Sequence, residues 1–193
     1  CDASPWVQAV EMHATIMNMS MMEFCREMSL LREDIQVFGG GAFNPDMDDE
    51  TAAVFSKGNG FLEHGIVFLL LGGTDFHTYS AFISGWKPLK RKFKVTKADR
   101  EVLYELDGKP ALDVYRRFLN IDRNDKFFSN TLEFPLFLEH DGIDILRCPL
   151  AANDDDSLVM SSDMQEGADV RLAYGDPETI LASIREDGQK IAD

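Results

Sequence analysis

Between Gly85 and Leu119 the chain reads GWKPLKRKFKVTKADREVLYELDGKPALDVYRRFL, and no other stretch constrains the fold as tightly. Phe93 and Val95 alternate with Lys94 and Thr96, the period of two expected of a strand with one buried face. Val102, Tyr104 and Leu106 then oppose Leu103, Glu105 and Asp107 in a second strand. Asp107-Gly108 makes a tight turn, because Gly reaches positive φ without steric cost and Asp bonds to its own backbone. Pro110 suits the first position of a helix, where its missing N–H costs nothing. Ala111, Leu112, Val114, Tyr115, Phe118 and Leu119 continue as an apolar helical face.

The remainder is read outward from this centre. Ser4-Pro5 has the form of an N-cap and first turn, and Val7, Val10, Ala14, Met17, Met21, Phe24, Met28 and Leu31 recur at helical spacing. An amphipathic helix, or a broken pair, is expected there. Its methionine-rich face packs on a sheet, with Met19 and Met22 the exposed exceptions. Ile35 to Phe38 is a short strand running into Gly39-Gly40-Gly41, which either lets two backbones approach or lines a ligand loop. Asn44 to Glu50 reads as a solvated acidic loop without the terminal ligand of a calcium site. Ala52 to Phe55 is a strand, and the apolar run Ile66 to Leu71 suits one buried on both faces. Phe76 to Ser84 alternates and should pair with it antiparallel, ending at Trp86, a stacking platform or a plug on the core edge.

After a polar connector, Asn120 to Ser129, strands are expected at Leu132–Leu138 and Ile143–Cys148 about a His140-Asp141-Gly142 hairpin. Leu158–Met160 follows the acidic turn Asn153–Asp156. Asp169–Tyr174 follows Gly167, and Asp176-Pro177-Glu178 caps a last helix that Gly188 weakens. About ten strands and three principal helices imply an α+β (mixed α/β) fold with largely antiparallel or mixed sheets and two sub-domains.

Charge and motifs exclude several functions. The net charge of −15 argues against nucleic acid, since only the window Lys87 to Arg100 is basic. That window either solvates a strand face or docks an anion or acidic partner. Three scattered cysteines, Cys1, Cys25 and Cys148, form neither a disulfide framework nor a CxxC site. Cys25 and Cys148 read as packed thiols, and a reducing cytoplasm fits. His13, His64, His77 and His140 are isolated, so no metal and no cofactor is expected. No GxSxG or paired-carboxylate signature marks a catalytic residue. The longest apolar run is too short to cross a bilayer. A first residue of Cys rather than Met is read as the edge of a longer chain, with a lipid-modified cysteine as the alternative.

The central stretch resembles the FIST domain family. The resemblance rests on Gly85-Trp86, Pro88, the run Val95 to Ala98 and above all the run Tyr104 to Tyr115. Val37 to Ala42, Thr51 and Val54-Phe55 are similar upstream, as are Leu146-Arg147, Pro149-Leu150, Asp156 to Leu158 and Glu166 to Val170 downstream. Lys90 stands where the family tends to place glycine. The resemblance implies residues 1–96 as the C-terminal portion of a FIST N-type unit and 97–193 as a FIST C-type unit. It implies a cytoplasmic sensory module for a small, amino-acid-like ligand, without enzymatic activity of its own. The output would be a diguanylate cyclase, histidine kinase or chemotaxis transducer elsewhere in the full chain. The alternative is a protein-interaction scaffold, as in F-box relatives. Expected ligand contacts are Gly39, Gly40, Gly41, Trp86, Lys97, Tyr104, Glu105 and Asp107, with the recess sought at the junction near Thr96.

Overall fold

The structure, a computed structural model, describes residues 4–15, 21–28, 30, 34–42, 52–79, 85–140 and 143–192. It parts into two units, Cys1–Ala81 and Phe82–Asp193. Among the described residues it has four helices and mostly antiparallel sheets, a mixed α+β fold as expected.

In the first unit, β1 (Ala9–Thr15) is the middle strand of a three-stranded sheet. It pairs in parallel with β2 (Gln36–Ala42) and antiparallel with β5 (Ile66–Leu71). The helix α1 (Met21–Met28) intervenes, making a βαβ unit of β1, α1 and β2. The helix expected from Ser4 onward is therefore corrected over residues 9–15, while Met21, Phe24 and Met28 of the same run do lie on a helix, α1. Ser4-Pro5 opens a turn closed by Val7 N–H to the Ser4 carbonyl, and residues 9–15 are extended. Val10, Met12 and Ala14 are all buried, with exposed His13 between them, so period two overrides the helical spacing of Val7, Val10 and Ala14. Met19 and the side chain of Met22 lie outside the described residues, as does the acidic loop 44–50.

Two further expectations fail in this unit. Among the described residues, 72–79 contain no strand, and β5 pairs with β1 rather than with 76–84; residues 80–84 lie outside the description. Nor is β5 buried on both faces. Among the described residues it is an edge strand, and Phe68, Leu69 and Leu70 are exposed. A hairpin of β3 (Val54–Ser56) and β4 (Gly60–Leu62) completes the unit, with Phe55 and Phe61 5.4 Å apart between ring centres.

The second unit is built around β14 (Asp169–Gly175). Along one side it pairs with β7 (Phe93–Asp99) and then with the short β6 (Trp86–Pro88); along the other it pairs with β10 (Leu136–His140). From β7 the sheet continues through β8 (Val102–Leu106) and β13 (Leu158–Met160) to β12 (Pro149–Ala152). From β10 it continues to β11 (Ile143–Arg147), with His140 opposite Ile143; Asp141-Gly142 lie outside the description. The two ends of this path, β11 and β12, are separated in sequence by Cys148 alone. One extended segment must serve both ends, so the nine-stranded sheet curls into a nearly closed barrel.

Its interior holds Val95, Leu103, Leu106, Leu112, Tyr115, Leu136, Leu158, Met160, Val170 and Leu172. The helices α2 (Leu112–Leu119) and α3 (Phe127–Thr131) close it. Tyr115 is fully buried, and its hydroxyl donates to the Phe134 carbonyl at 3.0 Å. Burial, and secondarily Cys148, hold that phenol well above its ordinary pKa. The Thr131 hydroxyl donates to the Pro149 carbonyl at 2.8 Å, fastening α3 to β12.

Sequence expectation is corrected here in three places. Asp107 and Gly108, at φ 52° and 73°, link β8 to a two-residue β9 (Lys109–Pro110). Pro110 thus ends a hairpin, and the helix begins at Leu112. The polar connector hides α3, and the strand expected from Leu132 begins at Leu136, because Leu132 caps α3. The strand β12 was not expected. The last helix, α4 (Pro177–Ala192), starts where its cap predicts, with Asp176 accepting from the Thr179 N–H at 3.0 Å.

Candidate functional site

Three of the expected site residues, Lys97, Tyr104 and Glu105, fall on the β7–β8 hairpin. Its register shifts twice, between Val95 and Lys97 and between Lys97 and Ala98, so the ladder bulges where those residues lie. Lys97 is paired opposite Glu105, and its ammonium lies 4.9 Å from the centre of the Tyr104 ring. The Thr96 hydroxyl lies 3.5 Å from the Glu105 carboxylate and accepts from the Gly108 N–H at 2.9 Å. Lys97 thus stands over Tyr104 and opposite Glu105, a cation, an aromatic ring and an acid neighbouring one another on one hairpin.

Asp107 is separate from that cluster. One of its oxygens accepts from the Lys94 N–H at 2.8 Å, shaping the turn, and the other stands 3.9 Å from Arg91. It opens onto a recess of about 480 Å³ beside α2. Phe93, Leu106, Val114 and Phe118 give this recess an apolar lining. Phe93 is buried and meets the half-open Phe118 ring edge-on at 5.7 Å. The Arg91 guanidinium lies over both rings, 4.9 Å and 5.1 Å from their centres, and Arg117 lies 5.5 Å from Phe118. Lys109 and Asp113 complete the rim.

Arg116, next along α2, is spent on structure. It forks onto Asp156 at 2.6 and 2.9 Å and reaches Asp122 at 2.9 Å. These hydrogen bonds raise its pKa further, and its fork holds Asp156 below the ordinary carboxylate range. The acidic turn predicted at Asn153–Asp156 is therefore a docking point for α2, and Leu112 N–H also donates to the Asp156 carbonyl at 3.1 Å.

The other expected contacts lie elsewhere. Trp86 is half-buried on β6 and covers Gly175, where an added Cβ would stand 3.3 Å from its ring. Gly39, Gly40 and Gly41 belong to β2 of the first unit, opposite Met12, His13 and Ala14. A Cβ on Gly39 would stand 1.8 Å from the Met12 carbonyl oxygen, so two backbones meet there. Cys25 is exposed rather than packed. Cys148 is half-buried, and burial raises its thiol pKa.

A second recess, of about 500 Å³, is lined by residues of β10 and β14 and of the turn before β14, and some of its charges are engaged. Lys92 is 3.7 Å from Asp169, Arg171 lies over Phe137, and Glu166 accepts from the Ala98 N–H. No group of three metal-ligating side chains occurs among the described residues.

The FIST N domain model matches residues 7–109, and the FIST C domain model matches residues 111–193. These matches define the class, a signal-transduction sensory domain. The chain belongs to the FIST family, as its resemblance implied. No curated protein and no solved structure matches it. The two models meet at Pro110, whereas the structural units part between Ala81 and Phe82; the boundary expected at 96/97 falls inside β7. The strands β6 to β8, matched by the N domain, pair with β13 and β14, matched by the C domain, so both halves of the family signature build one sheet.

Proposed function

We infer that this chain is a cytoplasmic sensory module that binds a small, amino-acid-like ligand and performs no catalysis itself. It passes binding to a signalling output elsewhere in the full-length protein, such as a diguanylate cyclase or histidine kinase. The observation that carries this reading is the pair of family matches spanning residues 7–109 and 111–193. The hairpin cluster supports it, since Lys97 and Glu105 offer opposite charges to the two ends of a zwitterion beside Tyr104. A sensor transmits only if its ligand prefers one arrangement of the protein over another. Thermal unfolding with each of the common amino acids and small carboxylates tests it. A ligand at about a hundred times its Kd adds about 2.7 kcal/mol and raises the melting temperature. No shift with any of them at millimolar concentration removes the sensory reading.

One observation favours a second reading, a protein-interaction scaffold. Phe55, Phe61, Phe68 and Leu69 are large apolar side chains left exposed in the first unit. A specific partner lost on Phe61→Ser, with no small-molecule shift, selects the scaffold.

A further inference from the structure

We propose that the recess beside α2 is a binding site for a small organic acid joining one carboxylate to a flat apolar body. Arg91 and Arg117 hold the carboxylate and Phe118 carries the body. The proposal deepens the sensory reading, on which it rests for the existence of a ligand, by assigning it a place and a chemistry.

Charge accounting within the recess carries the argument. The chain has 34 acidic and 19 basic residues, so a cation here has many carboxylates to choose from. Arg116 shows what the fold does with an arginine it uses structurally, engaging Asp156 and Asp122 at once. Arg117, the next residue, has no carboxylate partner among the described residues, and neither does Lys109. The nearest acid to Arg91 is Asp107, at 3.9 Å. Arg117 and Lys109 without a carboxylate partner, beside an Arg91 that only reaches Asp107 at 3.9 Å, outnumber the rim acids Asp107 and Asp113 and have the form of a site awaiting an anion.

The ring beneath them sets the geometry. Arg91 and Arg117 both approach Phe118, at 5.1 and 5.5 Å. A guanidinium packed against an aromatic ring uses its face for that contact and keeps its in-plane N–H groups free for a carboxylate. Phe118 is 42% exposed, so part of its surface remains for a ligand, while Leu106 and Val114 supply an apolar floor. A volume of about 480 Å³ suits a ligand of one ring. An inorganic anion leaves this lining unused, and a neutral aromatic leaves the guanidiniums unpaired. The combination selects a carboxylate carried on an apolar ring.

The test is titration calorimetry of the intact chain with benzoate, acetate and benzamide. Benzoate is expected to bind at least tenfold more tightly than either of the others, which lack its body or its charge. Arg91→Gln, Arg117→Gln and Phe118→Ala should each weaken benzoate about tenfold, with Arg117→Lys between wild type and Arg117→Gln. Arg123→Gln, which removes a surface partner of Asp154 outside the recess, should change nothing. Equal affinity for benzoate and acetate overturns the proposal, as does benzoate binding indifferent to Arg91→Gln and Arg117→Gln. Should amino acids shift the melting temperature equally in wild type and the Arg91→Gln/Arg117→Gln double variant, the sensory reading survives and this site does not. Should benzoate bind as described while no amino acid shifts the wild type, the site survives and the amino-acid reading does not.

Discussion

In the second unit the large apolar side chains Leu103, Leu112, Tyr115, Leu136 and Leu158 are completely withdrawn from solvent. In the first unit Phe55, Phe61, Phe68, Leu69 and Leu70 remain exposed, and the buried cluster is Val7, Val10 and Ile35. Composition does not separate the two, since both carry strong apolar strands. Topology does. A sheet whose end strands run into each other through Cys148 has an inside, and residues of β7, β8, β10, β13 and β14 fill it. An open sheet of three strands has two edges and two faces, and its side chains stay exposed unless other elements cover them. Deletions should therefore cost stability in the barrel, and added atoms should cost stability in the open sheet only where backbones crowd.

The largest effect is expected at Tyr115. Tyr115→Ala empties the barrel interior of a fully buried ring and should cost about 3–5 kcal/mol in urea unfolding. Tyr115→Phe keeps the ring but leaves the Phe134 carbonyl without its donor, for about 1–2 kcal/mol. The matching deletion in the first unit, Phe61→Ala at a 78% exposed ring, should stay within about 0.5 kcal/mol. Equal losses at Tyr115 and Phe61 would erase the distinction between the units.

The converse experiment adds a methyl group. Gly39 has φ 145° and no room for a Cβ over Met12, so Gly39→Ala should cost about 2–4 kcal/mol and loosen β2 from β1. Gly40→Ala meets nothing within 4 Å and should be neutral or slightly stabilising. Amide hydrogen exchange in β1 reads the difference directly. Unchanged protection in Gly39→Ala would show that the sheet yields without loss.

Much of this was legible beforehand where local chemistry decides the outcome. Asp107-Gly108 and Asp176-Pro177 announce a positive-φ turn and a helix cap, and both occur. The hairpin neighbours Lys97, Tyr104 and Glu105 follow from two alternating strands and a short turn. What failed depends on distant partners. Residues 7–14 satisfy both a helical spacing and an alternation, and β2 and β5 on either side select the strand. The apolar run Ile66–Leu71 carries no mark of being an edge strand. The recess was hidden because Arg91 and Phe118, 27 positions apart, meet only once β7 and α2 have packed. The basic window offered Arg91 as one candidate cation, but Arg117 and Phe118 lay in a helix read only for its buried face.

Within the barrel, two acids should respond to pH in opposite directions. Arg116 holds Asp156 below its ordinary pKa, so this pair contributes stability above the unfolded value, lost as pH falls through the lower folded one. Asp163 is raised by burial and by neighbouring Glu101, so its contribution is present below the unfolded value and lost as pH rises through the folded one. Asp156→Asn should cost about 1–2 kcal/mol at neutral pH, partial exposure reducing the value of the fork, and should flatten the acid limb of the stability profile. Asp163→Asn should flatten the profile on the other side, from the ordinary carboxylate range upward. Parallel profiles for wild type and Asp156→Asn would show that the α2 clamp contributes nothing to acid stability.

The smallest expected effect lies in α4, where helix propensity rather than barrel closure sets the result. Gly188 sits inside the helix with nothing within 4 Å of a Cβ, so Gly188→Ala removes unfolded-chain freedom without adding a contact. It should stabilise by about 0.8 kcal/mol, the ordinary Gly-to-Ala difference in a helix interior. Asp176→Ala should destabilise by about 1 kcal/mol, because the Thr179 N–H loses its acceptor at the first turn. Hydrogen exchange along residues 180–190 separates two cases. If α4 frays independently, both substitutions change its protection and leave that of β14 untouched. If α4 and the barrel unfold as one cooperative unit, protection changes in both by the same factor, and α4 then counts with the closed sheet in any comparison with the open one.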